Sequence, residues 1–179
     1  MTRISAAMTP VTIRVARDGE LEIARAIDDD ACTLYADAGM PIVASGAFFE
    51  RETERWARSL REGRLLFACN TEGEPVAFAS FGTLDGLPFL FQLSTRRAWM
   101  QRGIGRRLVE RVQRWAVREG SLWLSTYDHM SFNRPFYERL GFTRVDESEC
   151  GPELRELVAD ETSALPSPEQ RIVMRHFLP

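Results

Sequence analysis

A glycine-containing segment near the middle of the chain has the residue types needed to bind a phosphate group. It reads MQRGIGR from Met100 to Arg106, between an apolar run and a predicted helix. Gly103 and Gly105 lack a Cβ atom, so a ligand can come close to the backbone amides there. The first amides of a helix have no carbonyl partner within it, and the helix dipole adds positive charge at the same end. The segment therefore predicts an anion site.

Arginines are concentrated around this segment, although the whole chain carries a net charge of −3. They are Arg96, Arg97, Arg102, Arg106 and Arg107, and no acidic residue stands between them. A cation in the first turn of a helix opposes the helix dipole, at a cost of roughly 0.3–1 kcal/mol when it is exposed. A polyanionic ligand would reverse this cost. The alternative is an ordinary solvated cluster of charges.

Two common phosphate-binding motifs are absent from the sequence. The dinucleotide fingerprint needs a third glycine three residues after Gly105, where the chain has Leu108. The P-loop motif needs a lysine, and all 23 lysine-plus-arginine positions are arginine. Neither motif therefore explains the glycine segment.

A second motif follows about thirty residues later, where the chain reads FYERLGF from Phe136 to Phe142. The order, spacing and strand–helix context of the two motifs resemble the GCN5-related N-acetyltransferase (GNAT) family, over about residues 11–142. The resemblance implies an enzyme that moves the acetyl group of acetyl-CoA to an amine of a small molecule or a protein, by direct attack in a ternary complex. A non-catalytic acyl-CoA sensor is the alternative, and binding of another nucleotide is a weaker one.

The resemblance also assigns the donor site. The pyrophosphate of acetyl-CoA is expected at Met100, Gln101, Arg102, Gly103, Ile104, Gly105 and Arg106. The pantetheine arm is expected beside Leu93, Ser94 and Thr95, where the fourth and fifth strands of the family separate. Backbone amides of this strand are expected to polarise the thioester carbonyl.

Within the second motif, Tyr137 is expected to protonate the departing thiolate, because a phenol can donate a proton. A structural role for a buried tyrosine is the alternative. The chain has Met130 where the family often has an asparagine, and Asn133, on the same helix face as Tyr137, is the expected replacement at the pantetheine. Met100 stands where arginine or glutamine is usual, but that contact runs largely through backbone amides.

The sequence leaves the acceptor of the amine proton open. The candidates are Asp128 and His129 after the fifth strand, Asp85 in a turn, or water. No metal site is expected, because the two histidines are distant from each other and the three cysteines are widely spaced.

The region 39–49 is expected to form one wall of the acceptor site by the same resemblance. It is apolar apart from Ser45, with Asp37 and Glu50 nearby. An apolar slot flanked by carboxylates suits an amine with a hydrophobic body. The alternative is that Phe48 and Phe49 are core residues. The identity of the acceptor stays open.

Hydrophobic periodicity predicts the elements that hold these motifs. Strands are predicted at 11–15, 64–70, 76–83, 88–95, 122–127 and 171–177. Helices are predicted at 20–38, 47–60, 104–119, 132–140 and 153–163. Turns between the strands from 64 to 95 predict antiparallel neighbours, and the later strand–helix alternation predicts a parallel pair. The fold class is therefore α/β (α+β), a mixed, mainly antiparallel sheet of about six to seven strands flanked by helices.

Length and composition indicate the number of domains, the class of partner and the location of the protein. The 179 residues suit one domain, 1–179, with residues 1–10 as a loose lead-in. A pI near 5.5 argues against nucleic-acid binding. No apolar stretch approaches the ~18 residues of a membrane span, and no secretory leader is visible, so a cytoplasmic location is expected. A homodimer is possible.

Overall fold

The structure, a computed structural model, describes residues 10–42, 46–167 and 170–179. The strands within these ranges are β1 (Thr12–Val15), β2 (Leu65–Cys69), β3 (Pro75–Leu84), β4 (Leu87–Thr95), β5 (Ser121–Tyr127), β6 (Thr143–Arg144) and β7 (Arg171–Phe177). The α-helices are α1 (Leu21–Asp37), α2 (Gly46–Arg61), α3 (Ile104–Ala116), α4 (Arg134–Glu138) and α5 (Pro152–Ala164). No helix in the described ranges is long and apolar enough to cross a membrane.

The strands form one mixed sheet in the order β1-β2-β3-β4-β5-β7-β6. All neighbours are antiparallel except β4 and β5, which are parallel. The expected fold class and the single parallel pair are therefore confirmed. β6 was not predicted, because two residues are too few to show an alternating pattern.

Helices cover both faces of the sheet. On one face, α3 buries an apolar stripe that includes Leu108 and Val112 against residues such as Leu124. On the other face, Ile27 of α1 and Trp56 of α2 pack over β2 and β3, while α5 packs over β5 and β7.

The sequence-based bounds agree with the observed elements to within two residues, apart from the end of the helix predicted at 104–119, which is α-helical to Ala116 and continues as a 3-10 turn, Val117–Glu119. The helix predicted at 132–140 is shorter, because Asn133 has non-helical dihedral angles and the chain turns at Gly141, where φ is +91°. Residues 1–9 of the expected lead-in lie outside the described residues.

Candidate active site

The sheet forks at the parallel pair. β4 and β5 are paired at Phe89–Trp123 and at Leu90–Leu124. Ser80 of β3 is opposite Gln92, whereas Phe81 is opposite Leu90, so Phe91 is an extra residue in β4. A bulge of this kind bends its strand. Beyond it β4 continues with β3 while β5 continues with β7, and the facing edges of β4 and β5 are left apart.

The glycine segment follows the open end of β4. A short 3-10 turn, Arg97–Trp99, is anchored to α1, because the Arg97 amide donates to Asp30 at 2.6 Å. Gln101 and Gly103 both have positive φ, at 60° and 76°, and α3 starts directly after Gly103. Among the described residues, no group accepts a hydrogen bond from the amides of residues 101–106. The turn therefore presents a run of unpaired amides at a helix N-terminus, as an anion site requires.

Most arginines near this turn have protein partners. Arg97 pairs with Asp37 at 2.7 Å, Arg106 pairs with Glu110 at 2.7 Å, and Arg107 donates to the carbonyl of Val11. Arg96 donates weakly to Ala26, and Arg102 lies over the Trp99 ring at 4.9 Å. Because these side chains are engaged, the backbone amides are the main unpaired donors at the turn.

A cavity of about 620 Å³ runs from the fork to the glycine turn. Its lining includes all but one of the residues that the sequence assigned to the donor site: Leu93, Ser94, Thr95, Met100, Gln101, Gly103, Ile104, Gly105, Arg106 and Asn133. The exception is Arg102, which is exposed and does not line the cavity. We call this space the donor cavity.

A second cavity of about 370 Å³ adjoins the donor cavity on the side of α2 and α5. The residues that border both are Asp28, Cys32, Tyr35, Gln92, Leu93, Asn133 and Tyr137. Ile42, Phe48 and Phe49 line the second cavity, while residues 43–45 of the expected acceptor wall lie outside the described residues. Phe48, at 3% exposed, is a buried core residue as well. We call this space the acceptor cavity.

Tyr137 lies on α4 at the junction of the two cavities. Its ring packs against Phe136 and Phe142, with ring centres 5.0 and 5.7 Å away. Its hydroxyl makes no hydrogen bond with a described residue. Burial raises the pKa of Tyr137 well above its ordinary value. The phenol therefore stays protonated at neutral pH and has a proton to donate.

Asn133 connects the fork to α1. Its Nδ2 donates to Tyr35 Oη at 2.8 Å and to Thr126 Oγ1 at 2.9 Å. Met130, where the family often has the asparagine, is buried against Met40 and Tyr127 instead. The polar contact at the junction is therefore made by Asn133.

Asp28 is a site residue that the sequence analysis missed. Its Oδ1 accepts hydrogen bonds from Ser94 Oγ at 2.5 Å and from Gln92 Nε2 at 2.6 Å. Burial raises the pKa of this carboxyl, although both hydrogen bonds oppose the shift. A signal was present, because Asp28 is four residues after Ala24 and three before Ala31, on the buried stripe of α1.

The carboxylates and the histidine considered from the sequence lie elsewhere. Asp128 pairs with Arg134 at 2.7 Å, and His129 is exposed. Asp85 accepts from the amides of Glu153 and Leu154 at the start of α5. None of these three candidates lines either cavity.

A forked sheet whose gap leads to a glycine turn with free amides is the arrangement that the resemblance to acyl-CoA-dependent N-acetyltransferases implies. A sequence model described as the acetyltransferase (GNAT) family matches residues 25–142, about two thirds of the chain. The chain therefore belongs to that family of enzymes, and acetyl-CoA is the acyl donor.

Solved structures share the fold. A GNAT-family acetyltransferase from Staphylococcus aureus Mu50 has a TM-score of 0.69 at 14% identity, covering 95% of this chain and 100% of that one. The PaiA N-acetyltransferase from Thermoplasma acidophilum, in complex with coenzyme A, scores 0.64 at 15% identity, with coverage of 94% and 99%. N-acetylglutamate synthase from Neisseria gonorrhoeae, complexed with coenzyme A and N-acetyl-glutamate, scores 0.64 at 16% identity. The match covers 95% of this chain and 35% of that one, so this chain spans about a third of that synthase.

Proposed function

We propose that this protein transfers the acetyl group of acetyl-CoA to an amine held in the acceptor cavity, by direct attack in a ternary complex. The observation that carries the proposal is the junction of the two cavities at Tyr137 and Asp28. One side of this junction leads to the glycine turn with its free amides, and the other side leads to the partly aromatic acceptor cavity. A donor and an acceptor can therefore meet there.

The donor is assigned to the donor cavity on three features. The amides of residues 101–106 are free to bind a pyrophosphate. The edge of β4 at Leu93, Ser94 and Thr95 is unpaired on the side of β5, so it can hydrogen-bond an extended pantetheine arm. Asn133 lies where that arm would reach the junction. Arg102 is assigned no phosphate contact, because it stacks on Trp99.

The chemistry at the junction needs one acid and one base. Acetyl-CoA supplies an activated thioester, so the protein needs no covalent intermediate. Tyr137 donates a proton to the departing thiolate, and its phenolate takes the second proton from the nitrogen as the amide forms. Asp28 receives the first proton of the substrate ammonium, because this residue lines both cavities and its raised pKa is closer to the pKa of an amine. Amides at the open edge of β4 polarise the carbonyl.

The test is release of free CoA thiol from acetyl-CoA in the presence of a panel of primary amines. We expect release that depends on both the amine and the enzyme. In the wild-type enzyme kcat/KM should increase with pH as Asp28 loses its proton. We expect Asp28→Asn to lower kcat/KM by about 10²-fold and to abolish this increase. Binding of acetyl-CoA without amine-dependent release would contradict the proposal and favour the sensor function. A matched control is Glu22→Gln, an exposed carboxylate on the same helix.

A further inference from the structure

The acceptor cavity is lined by acidic side chains from three helices. Asp28 and Asp29 come from α1, Glu52 comes from α2, and Glu161 comes from α5. Arg171 of β7 is the one basic residue among the described residues that line it. Carboxyl groups therefore outnumber guanidinium groups, which favours a cationic occupant over an anionic one.

The Nη2 end of Arg171 is already engaged by protein groups, while its Nε is buried and has no hydrogen-bond partner among the described residues. The Nη2 atom donates to Glu161 Oε2 at 2.6 Å and to Ser125 Oγ at 2.9 Å, and the guanidinium lies 4.7 Å from the centre of the Tyr127 ring. The side chains of Arg171 and Glu161 are 9% and 13% exposed. A substrate carboxylate would have to compete with Glu161 and would leave a buried charge poorly paired. The arginine is therefore a poor anchor for an acidic substrate.

Of the carboxyl groups that line the acceptor cavity, Glu52 and the exposed Asp29 have no partner among the described residues, and Glu52 is the less exposed of the two. Glu52 makes no hydrogen bond or ion pair with another described residue. Burial and the neighbouring Asp28 raise its pKa to about 8, and the other charged groups near it are Arg55, Glu161 and Arg171. A cation placed beside Glu52 would supply the missing partner and favour its ionised form.

The positions of the two carboxyl groups divide the cavity. Asp28 borders both cavities, whereas Glu52 borders only the acceptor cavity. The reacting nitrogen belongs at the junction with Tyr137, so a group beside Glu52 is a different part of the substrate. Phe49 and Phe91 line the same space and suit an apolar spacer.

On the basis of the proposed function, we propose that the acceptor is an amine with a second positive charge and no carboxylate. The reacting amine lies by Asp28 and Tyr137, and the second cation pairs with Glu52. An apolar spacer between them lies along Phe49 and Phe91. Glu52 is therefore a residue that determines specificity.

Three amines with the same six-carbon chain test the proposal: 1,6-diaminohexane, hexylamine and 6-aminohexanoate. They differ only in the group far from the reacting nitrogen. We expect kcat/KM for the diamine to exceed that for hexylamine by about tenfold or more, as a charge pair shielded from water would give. The amino acid should be the poorest substrate. A diamine no better than hexylamine, or a preference for 6-aminohexanoate, would overturn the proposal.

The variant Glu52→Gln should bring the diamine-to-hexylamine ratio down towards one. Glu54→Gln is the matched control, because Glu54 is on the same helix, exposed, and paired with Arg61; it should keep the wild-type ratio. Calorimetric titration of the three amines into the enzyme–CoA complex gives the same ranking without turnover. Failure of CoA to bind would count against the proposed function, whereas CoA binding with no diamine preference would count against this inference alone.

Discussion

At the scale of single residues, Tyr137 is held in place by aromatic packing and not by a hydrogen bond. Its ring contacts Phe136 and Phe142, the residue lines both cavities, and its hydroxyl has no partner among the described residues. Replacing it with phenylalanine therefore removes the hydroxyl and leaves the packing largely unchanged.

We predict that Tyr137→Phe lowers kcat by about 10²–10⁴-fold, the usual contribution of a positioned general acid. The Kd of acetyl-CoA should change by no more than about twofold, because the expected donor contacts are made by the glycine turn and β4. Steady-state kinetics and calorimetry on the same preparation measure the two quantities. Unchanged turnover would mean that Tyr137 is a structural residue.

The sequence identified the residues of the glycine turn and of the second motif, because glycines and a fixed spacing are local signals. It did not identify Asp28, although three consecutive aspartates were visible. The structure gives two of them distinct contacts, since Asp28 binds Ser94 and Gln92, whereas Asp30 anchors the Arg97 turn. Which carboxylate faces the cavity depends on how α1 lies over the sheet, and a single sequence does not show this.

At the scale of elements, the fork depends on one extra residue in β4. The sequence predicted strand 88–95 and a parallel partner, and both are confirmed. It did not predict that Phe91 is a bulge, because a bulge is defined by the partner strand and not by the apolar pattern. The separation of β4 and β5 was expected from the family resemblance alone.

The turn between β3 and β4, at Asp85 and Gly86, stabilises the start of α5. The Asp85 carboxylate accepts from the first amides of α5, at Glu153 and Leu154, and a Cβ atom on Gly151 would come within 2.3 Å of that carboxylate group. We predict that Asp85→Ala lowers stability by about 1 kcal/mol, the usual cost of a lost helix cap. Thermal unfolding measures the loss. Because Asp85 is remote from both cavities, turnover at 25 °C should not change, and a large loss of turnover would restore Asp85 as a candidate base.

At the scale of the whole molecule, the acidic acceptor cavity couples folding to pH. The pKa of Glu52 is about 8 in the folded protein, against an ordinary 4.5, so the folded state holds this proton more tightly than the unfolded chain. Stability from this group is fully present below the unfolded pKa and is lost as pH rises through about 8.

We therefore predict that Glu52→Gln flattens the dependence of unfolding free energy on pH between about 5 and 8. The slope should fall by at most about 1.4 kcal/mol per pH unit. Urea unfolding at several pH values gives the slopes, with Glu54→Gln as the control. Parallel curves for wild type and Glu52→Gln would show that this carboxyl titrates normally.

The most direct test of the central claim is a thermal-shift titration with acetyl-CoA, run beside NAD and repeated on Gly103→Ala. The Tm should rise as the concentration of acetyl-CoA rises, and at a hundredfold excess over Kd the ligand should stabilise the folded state by about 2.7 kcal/mol. NAD should leave Tm unchanged. In Gly103→Ala the same increase in Tm should require a higher concentration of acetyl-CoA, because an alanine strains the turn that presents the amides. The φ of +76° at this position costs an alanine about 1–2 kcal/mol, whereas the added Cβ meets no atom within 4 Å. No shift with millimolar acetyl-CoA, or an equal shift with NAD, would contradict the assignment of the glycine turn and the forked sheet to acetyl-CoA.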